Sequence, residues 1–176
     1  MVLNKLDKLV DLENFENNFY NKFQNIEAEI AVIGCILWDN RNYEKIADLL
    51  NDDHFTNKNN KIIFKTIKNL LDKNILVSPI TLKNHLENND IKFDNIKYLN
   101  QIKDSTPSTH NVYHYAKIIY ELHIKRSLLG IGQNIIHETV ENSNELEGIN
   151  LIENAENDLY NLSHSGNTER KYSPFS

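Results

Sequence analysis

The sequence is poor in the residues that crosslink a chain or break its helices. Its 176 residues include one cysteine, three prolines and five glycines. A single cysteine excludes an internal disulfide and is typical of proteins from a reducing compartment. So few glycines and prolines exclude the dense turns of an all-β sandwich. These scarcities favour a helical protein.

Long apolar runs and an excess of positive charge are also missing. The longest nearly apolar run, Ile30 to Trp38, spans nine residues, far short of the roughly 20 that cross a bilayer. Residues 1–12 include four charged side chains, at positions 5, 7, 8 and 11, and so lack the apolar centre of a secretory leader. A net charge of −6 argues against a dedicated DNA-binding surface. We therefore expect a soluble, cytoplasmic protein without a membrane contact.

The apolar residues that are present recur at helical spacing and predict an all-α fold. The strongest segment, Ile26 to Trp38, is almost wholly apolar and is predicted to be the central buried helix, with Asn25 as its N-cap. Glu27 and Glu29 fall in its first turn and are interpreted as solvated charges near the positive end of the helix dipole. Gly34 inside this helix predicts a close crossing with another helix.

Capping residues and apolar spacing predict further helices downstream. Asp39 is expected to cap the second helix, and Ser78 with Pro79 is a favourable helix start, with Ile80 on the buried side. The predicted helices cover residues 40–50, 59–73, a short segment from Pro79, 95–103, 112–140 and 149–162.

The last two predicted helices form an antiparallel hairpin with more apolar surface than one seam can bury. Gly130 and Gly132 are expected to soften or kink the first of them. Large exposed apolar patches mark binding sites, so we predict that the hairpin mediates self-association. The predicted interface residues are Tyr115, Ile119, Leu122, Leu129, Ile136, Ile152 and Leu159.

The chain is predicted to divide where Ser105 to Ser108 interrupts the helical pattern. The predicted parts are an N-terminal arm (1–24), a small globular helical domain (25–106), the long antiparallel hairpin (107–162) and a polar linker (163–176).

A search for catalytic, cofactor-binding and metal-binding motifs finds none. The Lys65-Thr66 pair lies inside a helix without the glycines of a phosphate-binding loop, and no GxGxxG follows a strand. His110 and His114 have the spacing of HExxH ligands but lack its glutamate, and Cys35 is interpreted as a core residue. A basic stripe, interpreted as a solvated face, consists of Lys58, Lys61, Lys65 and Lys68.

Several segments nevertheless match one family in order. Residues 25–29, Val32-Ile33-Gly34 and Leu37 resemble N-x-E-A-E-Q-x-V-L-G-x-x-L, the opening signature of the N-terminal domain of DnaB-type bacterial replicative helicases. The chain departs from the family pattern at Ile30, which replaces glutamine, and at Asn60 and Lys61, which replace His-Arg. Further matches are Phe55, Ile63-Phe64, Pro79-Ile80-Thr81-Leu82, Tyr98-Leu99, Pro107, Asn111, Tyr115-Ala116, Ile118-Ile119, Arg126-Ser127-Leu128-Leu129, Ala155-Glu156 and Leu159-Tyr160.

The resemblance implies a non-catalytic domain that builds the collar of a hexameric helicase during DNA replication. In the family, hairpins pair between subunits into a trimer of dimers, and the collar docks the C-terminal domain of primase. The resemblance also implies that residues 163–176 lead to a RecA-like motor, which binds ATP and magnesium, and that DNA is contacted through the ring. No cofactor is expected within these residues.

Two other functions are compatible with a helical chain of this kind. One is a free-standing adaptor or helicase regulator with the same fold, which an ATPase reading frame downstream in the gene would exclude. The other is a helical DNA-binding domain, which the net charge of −6 disfavours.

Overall fold

The computed structural model describes residues 22–87, 96–106, 109–141 and 148–165, and these contain only helices and turns. The predicted all-α class is confirmed. The helices are α1 (Ile26–Trp38), α2 (Lys58–Leu71), α3 (Pro79–Glu87), α4 (Ile96–Asp104), α5 (Val112–Glu141) and α6 (Gly148–Ser165). Short 3₁₀ turns occupy Asn40–Asn42, Asp52–His54 and Thr109–Asn111.

Helix α1 is the central helix of the core, as predicted. The Asn25 side chain caps it by accepting a hydrogen bond from the backbone N–H of Ala28, at 2.9 Å. From Ala28 to Leu37 every residue except Ile30 is buried. A helix that is apolar on all sides has to be enclosed by others, and α2, α4 and the start of α5 supply core residues around it.

The predicted close crossing at Gly34 is confirmed, and the crossing element is α4 with the residues that follow it. A Cβ atom on Gly34 would lie 2.8 Å from the carbonyl oxygen of Ile102 and closer still to the Thr106 hydroxyl. Near the same crossing, the indole N–H of Trp38 donates to the carbonyl oxygen of Lys103 at 2.6 Å. Only a residue without a side chain allows the two backbones this separation.

The predicted helix over residues 40–50 is wrong, because the chain forms the 3₁₀ turn Asn40–Asn42 and then consecutive turns. The Asn40 amide donates to the carbonyl oxygens of Ile36 and Val77, and its oxygen accepts from the N–H of Val77. The Asn42 amide donates to the carbonyl oxygen of Cys35 at 2.9 Å. Asparagine side chains that bond to backbone in this way compete with helix formation.

Helices α2 and α3 begin at capping side chains. Asn57 accepts from the backbone N–H groups of Asn59 and Asn60, so α2 starts one residue earlier than predicted. The predicted Ser78 cap is confirmed, since its hydroxyl accepts from the N–H of Thr81 at 3.2 Å. Ile80, predicted to be buried, is 63% exposed, and its neighbour Pro79 is buried instead.

The chain divides into two compact units, Met1–His123 (unit 1) and Ile124–Ser176 (unit 2). The buried apolar cluster lies between Ala28 and Ile119, within unit 1. In unit 2, α6 runs back along α5: the Asn154 amide, near the start of α6, donates to the Glu138 carboxylate, near the end of α5, at 3.3 Å. Helix α5 continues through Gly130 and Gly132 without a break.

The predicted domain bounds stay predictions, because the division into units falls within α5. The predicted arm lies outside the described residues up to residue 21, and so does the predicted linker from residue 166 onward. Pro107 and Ser108, which carry the predicted chain break, also lie outside them.

Candidate interaction surfaces

A buried carboxylate joins α1 to the start of α2 in unit 1. Glu29 is 1% exposed, so its interpretation as a solvated charge is wrong. Its oxygens accept from the backbone N–H and hydroxyl of Thr56, at 2.7 and 2.6 Å, from the N–H of Asn57 at 3.3 Å and from the Asn60 amide at 3.0 Å. These donors replace water around the charge, and burial of a carboxylate requires such compensation.

The network continues from Asn60 to Tyr98. The Tyr98 hydroxyl donates to the Asn60 side-chain oxygen at 3.2 Å. Burial, and in smaller part the nearby Glu29 charge, raises the pKa of Tyr98 above its usual value, so the hydroxyl stays a donor to a higher pH than that of an exposed tyrosine. Sequence reasoning missed this cluster, although one signal was available: Glu29 precedes Val32, Ile33 and Ile36 by three, four and seven residues, and so shares their buried face.

The single cysteine lies in the core, as predicted. Burial raises the pKa of the Cys35 thiol to about 11, so at neutral pH it is protonated and a poor nucleophile. Among the described residues, no group of three His, Cys, Asp or Glu side chains is placed to hold a metal ion. The imidazole rings of His54 and His123 pack against each other, with their centroids 4.2 Å apart.

The basic stripe on α2 is partly neutralised by acidic residues. Lys61 lies 2.6 Å from Asp53, and this hydrogen bond lowers the pKa of the Asp53 carboxyl. The Lys65 ammonium lies 3.9 Å from Asp52. Lys58, Lys65 and Lys68 are exposed and Lys61 is half-buried, so the stripe forms a solvated face, as the sequence indicated.

Three of the predicted interface residues lie in unit 1, and two of them, Tyr115 and Ile119, pack against its core. Ile119 is 2% exposed and belongs to the core cluster, so it has almost no surface left for a second chain, and we reassign it to the core. Tyr115 packs partly against the same core. It also lines a cavity of about 370 Å³, whose other lining residues are Asn25, Glu27, Ala28, Ile30, Ala31, Ser105, Thr106 and Ile118.

The other predicted interface residues are distributed along α5 and α6. Leu122, in the unit 1 part of α5, and Leu129 are half-buried, whereas Ile136 is 53% exposed. Ile152 and Leu159, on α6, are also exposed. In the part of unit 2 that the structure describes, the exposed large apolar side chains are Leu128, Ile135, Ile136, Val140, Ile149, Ile152, Leu159 and Tyr160.

Helix α6 carries two apolar bands that differ in exposure. The first band, Leu151, Ala155 and Leu162, is half-buried. The second band contains Ile149, Ile152 and Leu159, which are exposed. The second band therefore lies on the surface of unit 2. None of the helices in the described parts of the chain combines the length and apolar content needed to cross a membrane.

Comparison with protein families identifies the fold. The family model of the DnaB-like helicase N terminal domain matches residues 21–121, more than half of the chain. The chain belongs to this family. The resemblance found in the sequence is confirmed.

Replicative DNA helicases resemble this DnaB-like chain over most of its length. The replicative helicase DnaB of Rickettsia conorii (strain ATCC VR-613 / Malish 7) is 31% identical over 150 residues, which are 84% of this chain and 30% of the relative. The replicative helicase DnaC of Bacillus subtilis (strain 168) is 30% identical over 147 residues, 82% of this chain and 32% of the relative. The chain thus spans about a third of the length of these relatives.

Two solved structures share the DnaB-like fold. The N-terminal domain of DnaB helicase from Mycobacterium tuberculosis superposes with a TM-score of 0.72 at 18% identity, over 78% of this chain and 97% of that chain. A DnaB-like replicative helicase whose structure was determined with its interactions with primase superposes with a TM-score of 0.63 at 23% identity, over 85% of this chain and 32% of that one.

The departures from the DnaB family signature have local explanations in unit 1. Asn60 is fully buried and donates to Glu29, and Lys61 pairs with Asp53 at the surface. Ile30 lines the cavity and packs partly against the core. Each replacement is therefore accommodated by a contact within unit 1.

Proposed function

We propose that this chain is the non-catalytic assembly domain of a replicative DNA helicase. Membership of the DnaB-like N-terminal domain family supports this role. In the proposed assembly, α5 and α6 pair with those of a second copy. Three such dimers then form the collar of a hexameric ring, which also receives primase.

The observation that carries the proposal is the apolar surface of unit 2. In the described residues of this unit eight large apolar side chains are exposed, although a hydrogen bond from Asn154 to Glu138 links α6 to α5. Among the described residues, none of the buried core side chains belongs to unit 2. Surfaces of this composition are typical of protein–protein interfaces.

The remaining parts of the proposal derive from the relatives. The relatives are replicative helicases about three times as long as this chain. We therefore assign the binding of ATP and magnesium to a RecA-like motor outside the region that this chain shares with them. Contact with DNA is assigned to the assembled ring, and the cytoplasm is the expected location. Interaction with primase is described for one structure that shares the fold, and for this chain it is part of the proposal.

Self-association is tested by sedimentation equilibrium over a range of concentrations. We expect the wild-type mass to rise from monomer to dimer, and Ile136→Asp to stay monomeric, because the interface would otherwise bury an unpaired charge. Leu76→Asp is the matched control, since Leu76 is 77% exposed but lies in unit 1. A wild type that stays monomeric at millimolar concentration would contradict the pairing.

The docking role is tested separately with the C-terminal domain of primase. We expect saturable binding by the wild type in calorimetric titration, and the same affinity for Leu76→Asp. Absence of binding by a wild-type dimer would remove primase from the proposal and leave self-association in place.

A further inference from the structure

The cavity of unit 1 has the size of a small-ligand site. Its volume of about 370 Å³ falls within the range of about 300–1,000 Å³ that is typical of such sites. Its lining comes from three segments that are distant in sequence: the start of α1, the residues after α4 and the first turns of α5. All three belong to unit 1, so the cavity does not depend on the proposed pairing of unit 2.

Five of the nine described residues that line the cavity are apolar or aromatic. Ala28 and Ala31 lie three residues apart on one face of α1, and their small side chains leave space beside the helix. Ile30 and Ile118 are half-buried and border the cavity from α1 and from α5. Tyr115 adds an aromatic ring, and aromatic rings attract organic cations as well as apolar groups. A ligand with an apolar body would therefore gain free energy by leaving water for this cavity.

The hydroxyl groups at the cavity have already used their protons. The Thr106 hydroxyl donates to the carbonyl oxygen of Ile102 at 2.8 Å, and the Ser105 hydroxyl donates to the same oxygen at 3.3 Å. A serine or threonine hydroxyl has one proton and two lone pairs, so each of these groups can offer a ligand only an acceptor. The Asn25 amide oxygen is occupied by the N–H of Ala28, and its amino group remains as a donor.

The charge that borders the cavity is negative. Among the described residues of the lining, Glu27 alone is charged at neutral pH. No ion pair between described residues includes it. A carboxylate attracts a cation, and it accepts hydrogen bonds but cannot donate them. The charge and the acceptor hydroxyls therefore both favour a cationic donor such as an ammonium group.

The positive end of the α1 dipole acts in the opposite direction, because it favours an anion. It is equivalent to about half of an elementary charge, and the Asn25 side chain already satisfies the N–H of Ala28 at this end of the helix. Glu27 carries a full negative charge in the same turn. The sum of the two at the cavity is thus negative.

We propose that this cavity binds a small organic cation, an amine with an aromatic body. The body replaces water against the apolar lining residues Ala28, Ala31 and Ile118. The ammonium group lies at Glu27 and donates to the acceptors nearby. A neutral ligand of the same shape lacks the ion pair with Glu27, and an anion is repelled by it, so the carboxylate selects the ligand by its charge.

The test uses the full 176-residue chain and three probes that share an indole ring. Tryptamine carries an ammonium group, tryptophol has a hydroxyl in its place and indole-3-propionate carries a carboxylate. Isothermal titration calorimetry measures their dissociation constants and stoichiometry. Because Glu27 is exposed, solvent weakens the ion pair. We expect tryptamine to bind at one site about three- to fivefold more tightly than tryptophol, and indole-3-propionate to bind most weakly.

Two kinds of variant locate the bound probe. Glu27→Gln keeps the size of the side chain and should reduce the preference for tryptamine to less than about twofold. Glu44→Gln is the matched control, since it removes the same charge from an exposed residue of unit 1 that does not line the cavity, and it should keep the preference. Ile30→Trp and Ile118→Trp fill the cavity from α1 and from α5, and both should abolish binding of tryptamine and tryptophol. Circular dichroism checks that each variant keeps its helix content.

Four results would overturn the inference. The first is the absence of tryptamine binding to the wild type at millimolar concentration. The second is tightest binding of indole-3-propionate, because the helix dipole would then decide the specificity. The third is an unchanged preference in Glu27→Gln, and the fourth is tryptamine binding that persists in both tryptophan variants, which would place the probe outside the cavity. None of these results bears on self-association, which Glu27→Gln should leave unchanged because Glu27 lies in unit 1.

Discussion

At the scale of single residues, the Glu29 carboxylate is the clearest case of a side chain that holds two elements together. It accepts four hydrogen bonds from Thr56, Asn57 and Asn60 while 1% exposed. Glu29→Ala would leave these donors without acceptors. We expect a loss of about 3 kcal/mol in the free energy of unfolding, measured by urea denaturation.

The control for that experiment is Glu27→Ala, in the same first turn of α1. Glu27 is exposed, and its removal deletes only a favourable interaction with the helix dipole, so the loss should stay below about 1 kcal/mol. Equal losses for the two variants would show that the buried network contributes nothing beyond helix capping.

Gly34 supplies a second prediction at this scale. Gly34→Ala gains helix propensity, but the new methyl group meets the Ile102 carbonyl and the Thr106 hydroxyl. We expect net destabilisation of about 1–3 kcal/mol, seen as a lower melting temperature. Gly132→Ala is the control, because a Cβ there meets nothing within 4 Å. It should gain up to about 1 kcal/mol. Stabilisation by both substitutions would contradict the close crossing.

At the scale of elements, the end of α2 depends on a left-handed residue. Asn74 has φ of 58°. The N–H of Ile75 bonds to the carbonyl oxygen of Leu70 at 2.9 Å, and the N–H of Asn74 bonds to that of Leu71 at 2.8 Å. This pair of bonds is a Schellman motif, which satisfies the last carbonyls of the helix.

The cap predicts opposite outcomes for two substitutions at Asn74. Asn74→Ala should cost about 1 kcal/mol, because alanine lacks the local side-chain bonding that lets asparagine adopt positive φ. Asn74→Gly should be neutral or stabilising. Urea denaturation measures the free energy of unfolding of both variants. Lys73→Ala, one residue earlier in the same turn, is the control for the loss of a side chain in this turn. Destabilisation by glycine equal to that by alanine would assign the effect to a lost side-chain contact rather than to backbone conformation.

At the scale of the whole molecule, the two units are stabilised differently. Unit 1 contains the buried cluster from Ala28 to Ile119. In its described residues, unit 2 leaves eight large apolar side chains exposed and contributes none to that core. Few-helix units with so little core are marginal alone. Self-association of unit 2 would therefore stabilise it as well as assemble the protein, and amide exchange in α6 should slow as the concentration rises through the dimerisation range.

The sequence by itself determined the helical class and most helix boundaries, because helical periodicity and capping are local properties. It also placed Gly34 at a close crossing and Cys35 in the core. A glycine lowers the stability of a helix, so a glycine inside an apolar helix indicates that another backbone approaches closely there. A cysteine among apolar residues packs as a small apolar side chain. The ordered DnaB-type motifs determined the family. These predictions depend on spacing along the chain and need no knowledge of which segments meet.

Only the tertiary structure decided which side chains are enclosed. Glu29 looked like a solvated cap charge until Thr56 and Asn60, about thirty residues away, supplied its donors. Ile119 and Ile152 both looked like seam residues, but one faces the core of unit 1 and the other is exposed. The helix predicted over residues 40–50 gave way to turns because Asn40 bonds to Val77. A local pattern can indicate which face of a helix is buried, but the partner of each side chain depends on contacts between segments that are distant in the sequence.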